Sequence, residues 1–283
     1  MKQALMEVKK IKCGYESGFY IRDVSLNVYP GDFIGIIGPN GSGKSTLIRA
    51  ISRILKPDRG RIFLKGNDIW EMDIKEVAKK VAVVSQNLEA NNITVKEMVL
   101  LGRIPYFLPF QFLESSIDEK IAAEAIEIMG ISKLKDKRLD EISGGERQLT
   151  HIARALAQKP EILLLDEPTS HLDIRHQISI LDLMKRLSRD NGIAIVAVLH
   201  DLNLATEYCG RIVLMDKGKI YKSGSPEEVL DYKIIEEVYK TPVIVHKSPI
   251  SGKPYVFPVT EEMWKRHVDR GIMMAIERKK GLK

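Results

Sequence analysis

The feature that most restricts this chain is the octapeptide Gly38-Pro39-Asn40-Gly41-Ser42-Gly43-Lys44-Ser45. It fits G-x-x-x-x-G-K-[ST], the pattern of a loop that cradles phosphate. An apolar run of strand length, Phe33 to Ile37, precedes it, and an amphipathic segment, Thr46 to Leu55, follows. That is a strand, loop, helix unit. Glycines let the backbone approach an anion closely, and the helix start presents amide N–H groups and the positive end of its dipole. In such a loop Lys44 should meet the β- and γ-phosphates of a nucleotide, and the Ser45 hydroxyl should ligate Mg²⁺.

The rest of the chain supplies the matching scaffold. Ile162 to Leu165 reads as a short buried strand that ends in Asp166 and Glu167. Ile193 to Leu199 is a second such strand, ending at His200, and Ile174 to Leu187 between them has helical spacing. Strands alternating with helices predict an α/β fold with a parallel sheet covered on both faces. Ligands of such sheets sit at the carboxyl ends of the strands, where Asp166 and Glu167 fall. Asp166 is placed to face Mg²⁺ through water, and Glu167 to polarise an attacking water as general base.

Short strands at Leu5 to Lys12 and Ile21 to Val28 come before this unit, and Arg61 to Lys65 and Val81 to Ser85 read as further strands. From about residue 91 to 142 the chain turns helical and more polar, which reads as an insertion. Ser116 with Glu119 predicts a capping box for a helix ending at Gly130, with Ile121, Ala125 and Ile128 on one face. Ser143 with Glu146 predicts a second box, opening a helix that Leu149, Ile152, Ala153 and Leu156 continue towards Pro160. Ile212 to Met215 and Lys219 to Lys222 predict a hairpin. Beyond about Thr241 an appendage holds a strand pair, Val243 to His246 and Tyr255 to Pro258, and a terminal helix from Glu261.

Composition narrows the class without choosing a ligand. With 44% hydrophobic and 29% charged residues in 283, the chain should be globular. No apolar run approaches the roughly 18 to 20 residues that cross a bilayer as a helix. The first residues do not resemble a signal peptide, and Cys13 and Cys209 are expected as free buried thiols in a reducing compartment. The net charge of +6 could suit nucleic acid, an anionic surface or phosphate ligands; seven Lys/Arg against four Asp/Glu from Glu261 to Lys283 carry half of it.

Taken together, these words resemble the ATP-binding subunit of ABC transporters over about residues 4 to 240. Gly38 to Thr46 looks like the Walker A loop of that family and Ile162 to Glu167 like its Walker B strand. Ser143-Gly144-Gly145-Glu146 resembles the signature, Gln86 the Q-loop, Ser170-His171-Leu172-Asp173 the D-loop and His200 the switch histidine. The resemblance implies a P-loop NTPase with a RecA-like core, an antiparallel β-subdomain and a helical signature subdomain at about 91–142. Residues 1–240 would form the ATPase domain and 241–283 a C-terminal appendage. It also implies ATP and Mg²⁺, with Ser45, Gln86 and Asp166 towards the metal and Glu167, His200, Lys44 and Gln86 in hydrolysis. Tyr15 stands where the family stacks an aromatic on adenine, with Tyr20 as a substitute.

Two such subunits sandwich two ATP molecules head to tail. The resemblance therefore puts Ser143, Gly144, Gly145 and Glu146, with Asp173, at the nucleotide of a second copy or a homologous subunit. The signature departs from the family at Ile142 and Glu146, where Leu and Gln are commoner. A carboxylate near phosphate would repel it, so Glu146 is expected to turn back onto its own helix start. Leu101 to Tyr106, Thr169 to Asp173 and His200 to Ala205 resemble the iron-chelate, haem and cobalamin importers. Partners would be membrane-spanning permease subunits and, indirectly, a substrate-binding protein, with this chain peripheral on the cytoplasmic face. Iron-siderophore is the first expectation for cargo, ahead of haem, cobalamin and molybdate-type oxyanions. A soluble ABC ATPase acting on nucleic acid or the ribosome stands as the alternative, though one cassette and no coiled coil argue against it. A binding-only regulator conflicts with Glu167 and His200.

Overall fold

Period-two burial makes the first strands one-sided. In the computed structural model, which describes residues 3–15, 18–85, 92–108, 110–111, 113–170, 172–260 and 262–263, these strands are β1 (Met6–Gly14) and β2 (Tyr20–Val28). Val8, Ile11 and Cys13 point inward, as do Ile21, Val24 and Leu26, while Lys9, Arg22 and Ser25 face solvent. Both cysteines are free and buried, as expected.

The next strand, β3 (Phe33–Ile37), is buried at every position and leads through the glycine loop into α1 (Lys44–Ile51). That helix starts two residues earlier than its periodicity predicts and stops well before Leu55, since Arg53 takes a left-handed φ of 64°. Then follow β4 (Arg59–Leu64), β5 (Asn67–Asp68), α2 (Ile74–Ala78) and β6 (Val81–Val84). The inserted region contains α3 (Val95–Leu100), a 3-10 turn at Leu101–Tyr106, α4 (Ser116–Ile128) and, after two further 3-10 turns, α5 (Gly144–Ala157). The core resumes with β7 (Ile162–Asp166), α6 (Ile174–Asn191), β8 (Ala194–Val198) and α7 (Leu202–Tyr208). The predicted hairpin is β9 (Arg211–Asp216) with β10 (Lys219–Gly224). Helices α8 (Pro226–Val229) and α9 (Tyr232–Tyr239) precede the appended hairpin β11 (Val243–Lys247) and β12 (Pro254–Pro258). The terminal helix expected from Glu261 lies outside the described residues except Glu262 and Met263.

The strands sort into a six-stranded sheet, β10-β9-β3-β8-β7-β6, parallel but for its β10 edge, and a four-stranded antiparallel sheet, β2-β1-β4-β5. Central strands bury both faces, so alternate residues enter different cores. Ile34, Ile36, Ile162, Leu164, Val196 and Val198 pack with α1 and the antiparallel sheet. Phe33, Ile37, Leu163, Leu165, Ile195 and Ala197 pack on the other side, with the inserted helices and α6. The appended hairpin joins this second core through Val243 and Val256.

One buried polar cluster holds the inserted helices together. Arg103, in the 3-10 turn, donates from Nε to Asp118 of α4 at 2.9 Å and from Nη1 to the Ala157 carbonyl at the end of α5 at 2.6 Å. Its guanidinium lies 3.8 Å from the Tyr106 ring centroid. Asp118 is also the capping partner of Ser115, whose N–H and hydroxyl donate to its carboxylate at 3.0 and 2.6 Å. The predicted box of Ser116 with Glu119 is therefore displaced by one residue. Glu119 instead makes an exposed pair with Lys96. Ile128 is likewise exposed, and Ala122 and Ile126 take its place in the core. Burial tends to raise the Asp118 pKa, but the hydrogen bonds from Ser115 and Arg103 outweigh it and hold the carboxyl below its usual range.

Helix α5 carries a second buried titratable group. Neither ring nitrogen of His151 has a hydrogen-bond partner, and its side chain is buried. Burial, with the charges of Arg154 and Arg147, lowers its pKa to about 4.

Two predictions follow from these contrasts. Asp118→Ala strands the buried guanidinium and should cost about 3–5 kcal/mol in urea unfolding, against at most about 1 kcal/mol for the exposed Glu119→Ala. Because the folded-state pKa of His151 lies below its unfolded value, the stability it confers is present above about pH 6.5 and falls away towards pH 4, by about 3 kcal/mol. His151→Leu should flatten the stability profile over that interval; an unchanged profile would contradict a buried neutral imidazole.

Candidate functional site

Sheet register sets the geometry of the site. Ile36 pairs with Val198, and Val198 in turn with Asp166, so β3, β8 and β7 end level with one another. The residues that follow them, Gly38 onward, Glu167 and His200, are delivered to one edge of the sheet.

The glycine loop fits only if particular positions lack a side chain. A Cβ on Gly38 (φ +147°) would come within 2.2 Å of the Met215 carbonyl oxygen, and one on Gly43 (φ +106°) within 2.6 Å of the Ile21 side chain. The loop is thus packed against β9 below and β2 beside it. Lys44 folds across it, donating from Nζ to the carbonyls of Gly38 at 2.8 Å and Pro39 at 3.0 Å. The buried Ser42 hydroxyl has no hydrogen-bond partner. Above the loop lies a cavity of about 330 Å³ lined by Phe19, Asn40, Gly41, Gly43, Lys44, Ser45, Thr46 and Glu167.

Two acid contacts close the far side. Ser45 donates to Asp166 Oδ1 at 3.1 Å. His200 Nε2 lies 2.6 Å from Glu167 Oε1, and the Ser170 hydroxyl donates to Glu167 Oε2 at 2.9 Å. Glu167 holds a left-handed φ of 57°, which turns the chain sharply at the end of β7. Burial raises the Asp166 pKa, with the Ser45 hydrogen bond opposing it and the Glu167 charge adding to it. For Glu167 burial also pushes upward, but hydrogen bonds from His200 and Ser170 prevail and hold it below its usual value. Burial lowers the Lys44 pKa, against the pull of Glu167 and Asp166. The adjacent acids are therefore shifted in opposite directions, Glu167 below its usual value and Asp166 above it.

The cavity suits a polyphosphate and a small hard cation. Lys44 brings an ammonium group to its lining and Ser45 a hydroxyl bonded to Asp166, beside the glycine backbone at Gly41 and Gly43. Among the described residues no three His, Cys, Asp or Glu side chains are grouped to hold a metal by themselves.

Other predicted residues lie elsewhere. None of Ser143, Gly144, Gly145 and Glu146 lines the cavity. Ser143 caps α5, and Glu146 accepts from the Ser143 N–H and hydroxyl, both at 2.8 Å, so its carboxylate turns back onto the helix start as expected. The Ser143 N–H contributes most to holding Glu146 below its usual pKa. Asp173 caps α6. The Tyr15 hydroxyl accepts from Arg49 at 2.9 Å, and it is Phe19, not singled out by its sequence neighbourhood, that borders the cavity. Gln86 and His171 lie outside the described residues.

Comparison with known proteins agrees with this geometry. The family model described as ABC transporter matches residues 21–170. The ferric enterobactin transport ATP-binding protein of Escherichia coli K12 is 38% identical over 90% of this chain and 94% of its own length. A metal-chelate type ABC transporter in an inward-facing conformation superposes with a TM-score of 0.81 over 92% of this chain and 99% of that one, at 24% identity, a likeness of fold. A dimeric ATP-binding cassette bound to ADP and Pi in a post-hydrolysis state superposes with a TM-score of 0.68 over 78% of this chain and 98% of that one, at 29% identity.

Because Glu146 is occupied at its own helix start, Glu146→Gln should change ATP turnover by less than about tenfold. A larger rise in a steady-state phosphate-release assay would mean that the carboxylate faces a phosphate.

Proposed function

The chain belongs to the ABC transporter family as an ATP-binding cassette, and from that premise we propose that it is the ATP-hydrolysing motor of an importer for iron-siderophore chelates. One observation carries the reading: Ser45, hydrogen-bonded to Asp166, and Glu167, paired with His200, line a single cavity together with Lys44.

Bound Mg-ATP supplies a γ-phosphoryl group open to attack by water and a cation that neutralises charge developing on its oxygens. Lys44 and the backbone N–H groups of the Gly38 to Thr46 loop, other than at Pro39, would hold the phosphate chain, and Ser45, Asp166 and Gln86 would hold Mg²⁺. Glu167, kept ionised by His200 and Ser170, accepts a proton from the attacking water. His200 keeps the carboxylate oriented. Tyr15, which does not line the cavity, would stack on adenine, and Phe19 borders the cavity itself.

The exposed signature supports action as a pair. Ser143 and Gly144 are exposed, and a Cβ on Gly144 would meet nothing within 4 Å. This helix start is free to complete the nucleotide site of a second copy or a homologous subunit, with Asp173 at the same interface. ATP would then close the pair and hydrolysis release it.

Partners follow from surface chemistry. Leu101, Ile104, Leu108, Phe110, Leu113 and Ile117 are exposed along the inserted region, apolar side chains that a partner surface would cover. These residues suit permease subunits at the cytoplasmic face of the membrane, through which a substrate-binding protein is engaged indirectly. No described helix is long and apolar enough to cross a membrane. The ferric enterobactin relative favours an iron-siderophore as cargo, delivered by other chains of the complex. No nucleic acid is expected among the partners.

Glu167→Gln should lower steady ATP hydrolysis at least about 100-fold and trap an ATP-bound dimer, read by phosphate release and size-exclusion chromatography. Unchanged turnover would remove Glu167 from its role. Tight binding to RNA, with no membrane protein retained in detergent, would overturn the transporter reading.

A further inference from the structure

His176 occupies a position that the proposed function does not use. Asp173 caps α6 by accepting from the His176 backbone N–H at 2.9 Å, and His176 Nδ1 lies 2.9 and 3.0 Å from the two oxygens of the same carboxylate. One residue therefore fixes both the helix start and the orientation of the imidazole. The other side of the ring rests on the signature. A Cβ added to Gly145 would lie 2.9 Å from His176 Cδ2 and 3.3 Å from Nε2. Of the two signature glycines, Gly144 faces open space and Gly145 is backed by this histidine.

The segment before α6 is tied down as firmly. Gln177 donates to the carbonyls of Thr169 at 3.2 Å and Leu172 at 3.0 Å. Ser170 donates to Glu167 at 2.9 Å. A continuous set of contacts thus runs from Glu167, through the loop to Asp173, to His176 and on to Gly145. Its two ends would serve different nucleotides, since Glu167 lines the cavity of its own chain and Gly145, itself buried, adjoins the exposed Ser143 and Gly144 offered to a second subunit.

We propose that His176 is a positioning residue that locks the signature of a subunit to the loop leading from its own Glu167, so that closure on one nucleotide sets the acid at the other. This rests on the functional reading above. The coupling is local packing plus one hydrogen-bonded pair, and both are lost with the imidazole. The cap of α6 survives any substitution here except proline, because it uses the backbone N–H. The side chain is 39% exposed, so its removal leaves no closed cavity.

The test uses the full chain with Mg-ATP, comparing the unsubstituted protein with His176→Ala and with His176→Phe, which keeps a ring but not the bond to Asp173. Both variants should lower kcat about tenfold and bring the Hill coefficient towards 1, while the affinity of the isolated subunit for a fluorescent ATP analogue stays within about twofold. Turnover and cooperativity unchanged in either variant would overturn the proposal. So would a parallel loss of affinity, turnover and Tm, which would assign His176 to fold stability alone. Absence of turnover in the unsubstituted chain would instead be the failure of the functional reading itself.

Discussion

The register of three parallel strands is the constraint on which the rest of the site depends. β3, β8 and β7 are paired so that Ile36, Val198 and Asp166 stand side by side. Lys44 is thereby placed at one edge with Glu167 and His200, both more than a hundred positions further along the chain, with no loop reaching far. A slip of one residue would exchange the faces of every side chain in a strand. Here both faces are buried, and the alternate residues of each strand belong to different cores, so a slipped register would fill neither.

Within that frame the chemistry arises from unequal environments for similar groups. Asp166 and Glu167 are adjacent carboxylates, yet one is driven towards protonation by burial and the other held ionised by a histidine and a serine. Adjacent acids with opposed shifts divide naturally between a metal-facing and a proton-accepting role. Lys44, partly desolvated, donates to carbonyls of its own loop. A polyphosphate offers it stronger acceptors in the same place.

The inserted helices are organised by a different device, a buried ion pair. Arg103 reaches Asp118 on one helix and the end of another, joining three elements that α/β patterning does not connect.

Much of this was legible in the sequence because it depends on contiguous residues. The glycine loop, the apolar strands ending in acids, the Ser143–Glu146 box and the terminal hairpins are local patterns, and each lies where its pattern predicts. The misreadings share one cause. Ser115 and Ser116 precede Asp118 and Glu119, and either pairing makes a sound capping box; the distant Arg103 chooses, because burying its charge requires the Asp118 carboxylate. Phe19 and His176 carried no local signal either, since their roles come from contact with Gly43 and Gly145, 24 and 31 positions away in the chain. The amino-acid sequence by itself determined which groups the site contains and which elements carry them, as backbone propensity, capping and turn chemistry act over a few residues. Only the tertiary structure decided which acid is shifted up and which down, which serine caps and which ring backs the signature, because desolvation and packing are set by neighbours that the chain brings together only on folding.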